Sequence, residues 1–282
     1  MAAVLELQQK VVRWMLRRRG FQCSLRGQPG SRMHVYSWEG EGDGPDVVVV
    51  HGIATNAASF APLLLRLRAK ARRIWALDLP AHGFSEVPEP LPSLTEAFDT
   101  IAQVLDDLIH RPVVLIGASL GGAIALKYSV RSPGNVHRLA LISPGGAPLS
   151  PGGLAEVTDR FHMERASDGR RFLSCLFHRR PWYGVLIGGQ VVSLLNRPIV
   201  RRFFETISAQ DMLTPEEAAT LRPPTLIIWG KSEAILPTEC LEWYRAHMPP
   251  NVSFQEPEGY GHSPHLEVPR DLTNRLTEFI DG

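Results

Sequence analysis

The run Val113-Val114-Leu115-Ile116 ends in Gly117-Ala118-Ser119-Leu120-Gly121. A serine hydroxyl is a weak nucleophile unless a base takes its proton and donors await the charge that develops on its target. Gly-x-Ser-x-Gly after a strand and before a helix is the pattern of a tight turn that exposes such a serine. The helical stretch Ala123-Ile124-Ala125-Leu126-Lys127-Tyr128 supplies the second half of that context. Ser119 is therefore the candidate nucleophile.

The partners that chemistry demands are a base and an acid to orient it. His262, in Gly259-Tyr260-Gly261-His262-Ser263-Pro264-His265, sits in a glycine-loosened loop and is the candidate base. His265 is expected to pack or hydrogen-bond within that loop. Glu233, in Gly230-Lys231-Ser232-Glu233-Ala234 just past an apolar strand, is the candidate acid, with Asp211 as the weaker alternative. The oxyanion needs two backbone N–H groups, expected from Leu120 and from Ile53 in His51-Gly52-Ile53. One such donor is worth about 3 kcal/mol in the transition state. His51 is expected to shape this loop.

These residues need a scaffold that brings loop ends together. The middle of the chain alternates strand-like and helix-like segments, which predicts a mostly parallel sheet with helices on both faces. Val47–Val50, Arg73–Leu77, Val113–Ile116, Leu139–Ile142, Thr225–Trp229 and Val252–Phe254 read as strands. Helices are expected over 57–70, about 94–109, after the elbow, and about 267–280. Ligands bind at the carboxyl edge of such sheets.

Residues 148–212 break the rhythm, with nine Arg, no Lys and a net charge of +3. A crossover needs about a dozen residues, so this stretch is expected to be a helical lid over the site. The core would then be 1–147 plus 213–282. The lid residues Phe161, Phe177, Trp182, Leu186 and Phe203 are the candidate substrate-binding side chains. At the N-terminus, Val4, Leu7, Val11, Trp14 and Met15 recur at helical spacing, predicting a helix over about 3–19. Residues 1–26 carry six basic side chains and one acid, the composition of a helix that packs on its own domain with its basic face in water or, in the rival reading, rests peripherally on an anionic lipid surface.

The chain has 282 residues, 44% hydrophobic and 21% charged, with a formal net charge of +1. That balance gives no reason to expect nucleic acid as a partner. No apolar run reaches the roughly 18 residues of a membrane span, and polar residues interrupt any secretory h-region. A cytoplasmic location is expected. Cys23, Cys175 and Cys240 are too few and too irregularly spaced for a disulfide framework or a zinc site.

Five separated motifs occur in order: His51-Gly52, Asp78-Leu79-Pro80-Ala81-His82-Gly83-Phe84-Ser85, Gly117–Gly121, Gly230–Glu233 and Gly261-His262. Together they resemble the α/β-hydrolase superfamily. Within it they are similar to bacterial relatives of monoacylglycerol-lipase-like serine esterases and lipases. The resemblance spans nearly the whole chain. It implies an eight-stranded α/β-hydrolase fold, the chain order Ser119, Glu233, His262, an acyl-enzyme intermediate, and no cofactor or metal. The departures are Glu233 where Asp is usual and Ala81 where Gly is commoner. Asp78 is expected to hold a loop.

The expected function is cleavage of small-molecule carboxylic esters. Thioester hydrolysis, carbon–carbon bond hydrolysis, perhydrolysis and acyl transfer share the triad and are the rival chemistries. A non-catalytic ligand-binding role is the rival from another class.

Overall fold

The computed structural model describes residues 3–182 and 184–282, with side chains from Glu6 onward, so Val4 of the N-terminal pattern lies outside the described side chains. The strands are β1 (Gln22–Arg26), β2 (Met33–Glu39), β3 (Asp46–Val50), β4 (Arg73–Leu77), β5 (Val113–Ala118), β6 (Val136–Ile142), β7 (Thr225–Ile228) and β8 (Val252–Gln255). They form one sheet in the order β1-β2-β4-β3-β5-β6-β7-β8. β2 runs antiparallel to both β1 and β4, and every later pairing is parallel.

The helices are α1 (Ala3–Arg18), α2 (Ala61–Leu67), α3 (Leu94–Leu108), α4 (Leu120–Arg131), α5 (Pro151–Phe161) and α6 (Ala166–Leu176). They continue with α7 (Gly184–Leu195), α8 (Pro198–Thr206), α9 (Pro215–Ala219), α10 (Thr238–His247), α11 (Pro264–Glu267) and α12 (Pro269–Asp281). Both faces of the sheet are covered. Val48 and Val50 of β3 point into one apolar layer with Ile101, Leu105 and Leu126, whereas Val47 and Val49 enter the opposite layer with Leu63, Leu67 and Leu272. That is why the central strands read as unbroken apolar runs rather than as alternation. α3 begins where it does because Ser93 and Glu96 form a reciprocal capping box.

The chain between β6 and β7 holds α5 to α9, with a third apolar cluster of Met163, Phe172, Leu173, Phe177, Val191, Leu195 and Phe203 that meets Ala54, Ala81 and Ile235 of the sheet edge. The β1–β2 hairpin escaped the strand reading. β1 is too exposed to carry an apolar run, and β2 places the polar His34 among buried neighbours. The closing segment is two helices, α11 and α12. On α1, Leu7, Val11 and Trp14 share one face, and all three are exposed. Among the described residues no helix is long and apolar enough to cross a membrane.

Candidate active site

Parallel register brings the loops together. Val50 of β3 pairs with Gly117 of β5, Ala118 with Ile142 of β6, Ile142 with Ile228 of β7, and Ile228 with Gln255 of β8. The strands thus end nearly level, and Ile53, Ser119, Glu233 and His262 all emerge at the same carboxyl edge.

Ser119 is the residue before α4 and adopts φ 53° and ψ −120°, a conformation that ordinary side chains avoid. Close approach explains the flanking glycines. A Cβ at Gly117 would strike the Gly121 carbonyl, and one at Gly121 would strike the carbonyls of Val50 and His51. Gly52 lies against the serine, since a Cβ there would sit 3.0 Å from Ser119 Cβ. Ile53, the next residue, lines the same cavities as Ser119. Leu120 N–H is in the first turn of α4, where donors have no partner within the helix and the dipole favours negative charge.

Two buried histidines brace that loop. His51 Nδ1 donates to Gly52 O at 2.7 Å, and its Nε2 accepts from Leu79 N at 3.0 Å. His82 Nδ1 donates to Pro80 O at 2.9 Å, and its Nε2 accepts from Ala54 N at 3.2 Å. Both rings must be neutral to accept at Nε2. Burial pushes the His51 pKa down and that of His82 down to about 3. Asp78 accepts from Ala57 N at 2.8 Å, Phe84 N at 3.1 Å and His34 Nδ1 at 2.9 Å, so it holds the β4 loop.

Glu233 Oε2 accepts a 2.7 Å hydrogen bond from His262 Nδ1. Its Oε1 accepts from Ile235 N at 2.7 Å and Leu236 N at 3.1 Å. Burial opposes its ionisation. The charge and hydrogen bond of His262, with smaller help from the Leu236 N–H, outweigh burial and hold the carboxyl below its ordinary value. Ser143, at φ 40° just after β6, carries a buried hydroxyl that completes no hydrogen bond of its own. The extra methylene of Glu over Asp is absorbed by a tight turn, in which the carboxylate caps the backbone two and three residues ahead.

Asp211 is elsewhere. It accepts from Thr95 Oγ1 at 2.8 Å and from Ser208 N at 2.8 Å, which ties the inserted helices to α3. His265 is stacked on Phe60 with centroids 4.0 Å apart, and burial pushes its pKa down to about 3.

Two cavities meet at Ser119. The larger, about 530 Å³, is lined by Gly52, His262, Phe172, Phe177, Ile187 and Leu194 among others. The smaller, about 120 Å³, runs under α5 and α8 past Leu94, Val157, Phe203 and Phe204. Ile53, Ser119, Phe161 and Ile235 line both. Of the expected substrate-binding side chains, Phe161, Phe177 and Phe203 line these cavities. Trp182 and Leu186 do not, being 83% and 72% exposed. Ile187, Val191 and Leu194 form the inward stripe of α7, and Leu186 sits about 100° around the helix from Ile187. Trp182 lies in the turn before α7.

Sequence reasoning missed Ile235, Leu94 and Ser143, and it missed the inner face of α7. Only the last carried a signal, in the apolar repeat of Ile187, Val191 and Leu194. It also missed how the insertion grips the site. His178 Nδ1 meets Ser232 Oγ at 2.7 Å, and Ser263 N donates to Leu176 O at 3.1 Å, so the end of α6 touches both the acid loop and the histidine loop.

Residues 47–276 match the Alpha/beta hydrolase family. A pimeloyl-acyl-carrier-protein methyl ester esterase of Chromobacterium violaceum is 27% identical over 258 residues, covering 85% of this chain and 96% of its own. Among solved structures, a membrane phospholipase A described as a bacterial virulence factor is similar with a TM-score of 0.81 at 23% identity. It covers 100% of this chain and 94% of that one. Naproxen esterase (carboxylesterase NP) of Bacillus subtilis gives 0.75 at 20% identity, with 97% of each chain covered. These structures share the fold. With a mostly parallel sheet of eight strands, a serine elbow after β5 and a family match over most of its length, the chain belongs to the alpha/beta hydrolase family.

Proposed function

We propose that this protein is a serine hydrolase that cleaves carboxylic esters through an acyl-enzyme. The observation that carries the reading is the 2.7 Å Glu233–His262 hydrogen bond, formed at the wall of the cavity that Ser119 lines. Glu233 fixes the His262 proton on Nδ1, so Nε2 offers a lone pair. Nε2 takes the Ser119 proton as Oγ attacks the ester carbonyl. The N–H groups of Ile53 and Leu120 receive the oxyanion, and His262 returns the proton to the leaving alcohol. Water then repeats the sequence on the acyl-enzyme.

The two cavities diverging from Ser119 suit an ester with an apolar substituent on each side of its carbonyl. Residues 148–212 serve as the lid that walls them, with Phe161 between the two. The esterase names of the relatives similar in sequence favour this chemistry. Residues 1–26 supply a peripheral lipid contact, supported by the exposed Leu7, Val11 and Trp14 on a helix that also carries Lys10, Arg17 and Arg18.

A fluorophosphonate probe should label the native chain at Ser119, and Ser119→Ala should lose both the label and turnover of p-nitrophenyl esters. An alanine variant that still hydrolyses these esters at the native rate would sink the assignment.

A further inference from the structure

Away from the ester site, Cys23 lies on β1, half-buried, in a cleft lined by Arg13, Arg17, Gly20, Phe21 and Gln22. Register places Cys23 opposite Tyr36 of β2, so His34, two residues along, is its diagonal neighbour on the same face. His34 is itself buried, and its Nδ1 donates to Asp78 Oδ2 at 2.9 Å. That bond fixes one proton and aligns the ring. The other nitrogen, Nε2, is buried with no hydrogen-bond partner. A buried imidazole nitrogen without a partner is costly, and its diagonal neighbour on the same face of the strand pair is Cys23.

We propose that Cys23, His34 and Asp78 form a second reactive centre, in which the Cys23 thiolate exchanges with a small acidic disulfide whose carboxylates are held by Arg13 and Arg17. His34 stands to Cys23 as an oriented base stands to a nucleophile. The thiol proton moves to His34 Nε2, leaving a thiolate beside an imidazolium. The thiolate attacks one sulfur of the disulfide, whose S–S bond breaks as the Cys23–S bond forms. The departing half leaves with the bonding electron pair and takes the proton back from Nε2. The disulfide is the only oxidant required.

The titratable and charged groups facing Cys23 are His34 and Tyr36 from β2, Asp78 behind His34, and Arg13 and Arg17 from α1. Burial opposes the thiolate, but His34 and Arg13 outweigh it and lower the thiol pKa. Burial likewise opposes charge on His34, and Asp78 and Cys23 together raise its pKa. Burial keeps the Tyr36 hydroxyl neutral. Cys240 has the opposite setting, with burial pushing its thiol up to about 12.

Two measurements on the full chain test this centre, both read by peptide mass spectrometry with Cys175 and Cys240 as internal references. The iodoacetamide alkylation rate of Cys23 against pH should have its midpoint below the ordinary thiol value of about 8.5. A midpoint at or above that value overturns the proposal. Oxidised glutathione should modify Cys23 about tenfold faster than cystamine, a cationic disulfide, as complementary charge favours encounter. Arg13→Gln should shrink that preference, and because Arg13 is half-buried over the Phe84 ring, Arg17→Gln at an exposed position is the second variant and should shrink it too. Equal rates with the two disulfides, or a preference untouched by either substitution, would remove the acidic subsite. Neither readout depends on ester turnover.

Discussion

Glu233→Gln probes the proposed site at one proton. In the native protein one carboxylate oxygen faces His262 Nδ1 at 2.7 Å, and the other accepts from Ile235 N and Leu236 N. A glutamine must keep its oxygen on those two backbone donors, because an amide NH₂ there would oppose both. Its NH₂ then points at Nδ1, which must become an acceptor. The imidazole proton moves to Nε2, and the ring presents N–H where a lone pair is needed. The equivalent loss of the correct tautomer in a serine protease costs about 10⁴-fold in kcat, or about 5.4 kcal/mol. We expect a loss of that order in kcat for p-nitrophenyl butyrate, with slower fluorophosphonate labelling. The native carboxyl is held below its ordinary value, so its charge contributes to stability at neutral pH, and the neutral variant should fold with a lower thermal midpoint. A folded variant with kcat within about tenfold of wild type would refute the tautomer argument, since that leaves no more than about 1.4 kcal/mol to the carboxylate.

Acid stability should depend on His265. Its folded pKa of about 3 lies below the ordinary 6.5, so only the unfolded chain gains the proton between those values. Stability is complete above pH 6.5 and falls toward pH 3, by about 1.4 kcal/mol per pH unit for each such histidine. His265→Phe, which retains a ring on Phe60, should flatten the fall of the urea midpoint between pH 6 and 4, and an unchanged slope would refute this. At the N-terminus, anionic vesicles should sediment the protein, neutral ones should do so much less, and Trp14→Ser should weaken the binding. Equal sedimentation with both vesicle types would remove the electrostatic part of the contact.

The site was legible where its chemistry is local. Gly117–Gly121 announces a sharp turn because close approach of carbonyls forbids side chains at both glycines, and this constraint is written in adjacent residues. The central strands were legible because burial on both faces leaves only apolar residues, as in Val47–Val50. Helices such as α3 carry their own caps. The β1–β2 hairpin was not legible. An exposed edge strand has no apolar run to mark it, and His34 is tolerated inside only because Asp78, far along the chain, accepts its proton.

The choice between Glu233 and Asp211 shows the same division. Both are acids near β7, and chain order alone admits either. Register between β7 and β8 delivers Glu233 to His262, while Asp211 is taken up by Thr95 and Ser208. Aromatic content likewise marked 148–212 as a wall but could not say which side chains face inward. Phe161 reaches the cavities, whereas Trp182 and Leu186 face outward.

By itself, the sequence determined the parallel core, the sharp turn at Ser119, and the chain order of the proposed acid and base behind it. Each of these is specified by neighbouring residues through sterics or burial. Only the tertiary structure decided which acid meets His262, which insertion side chains line the two cavities, and that Cys23 stands beside His34. Those outcomes depend on strand register and helix rotation, and both are set by contacts between residues far apart in the chain.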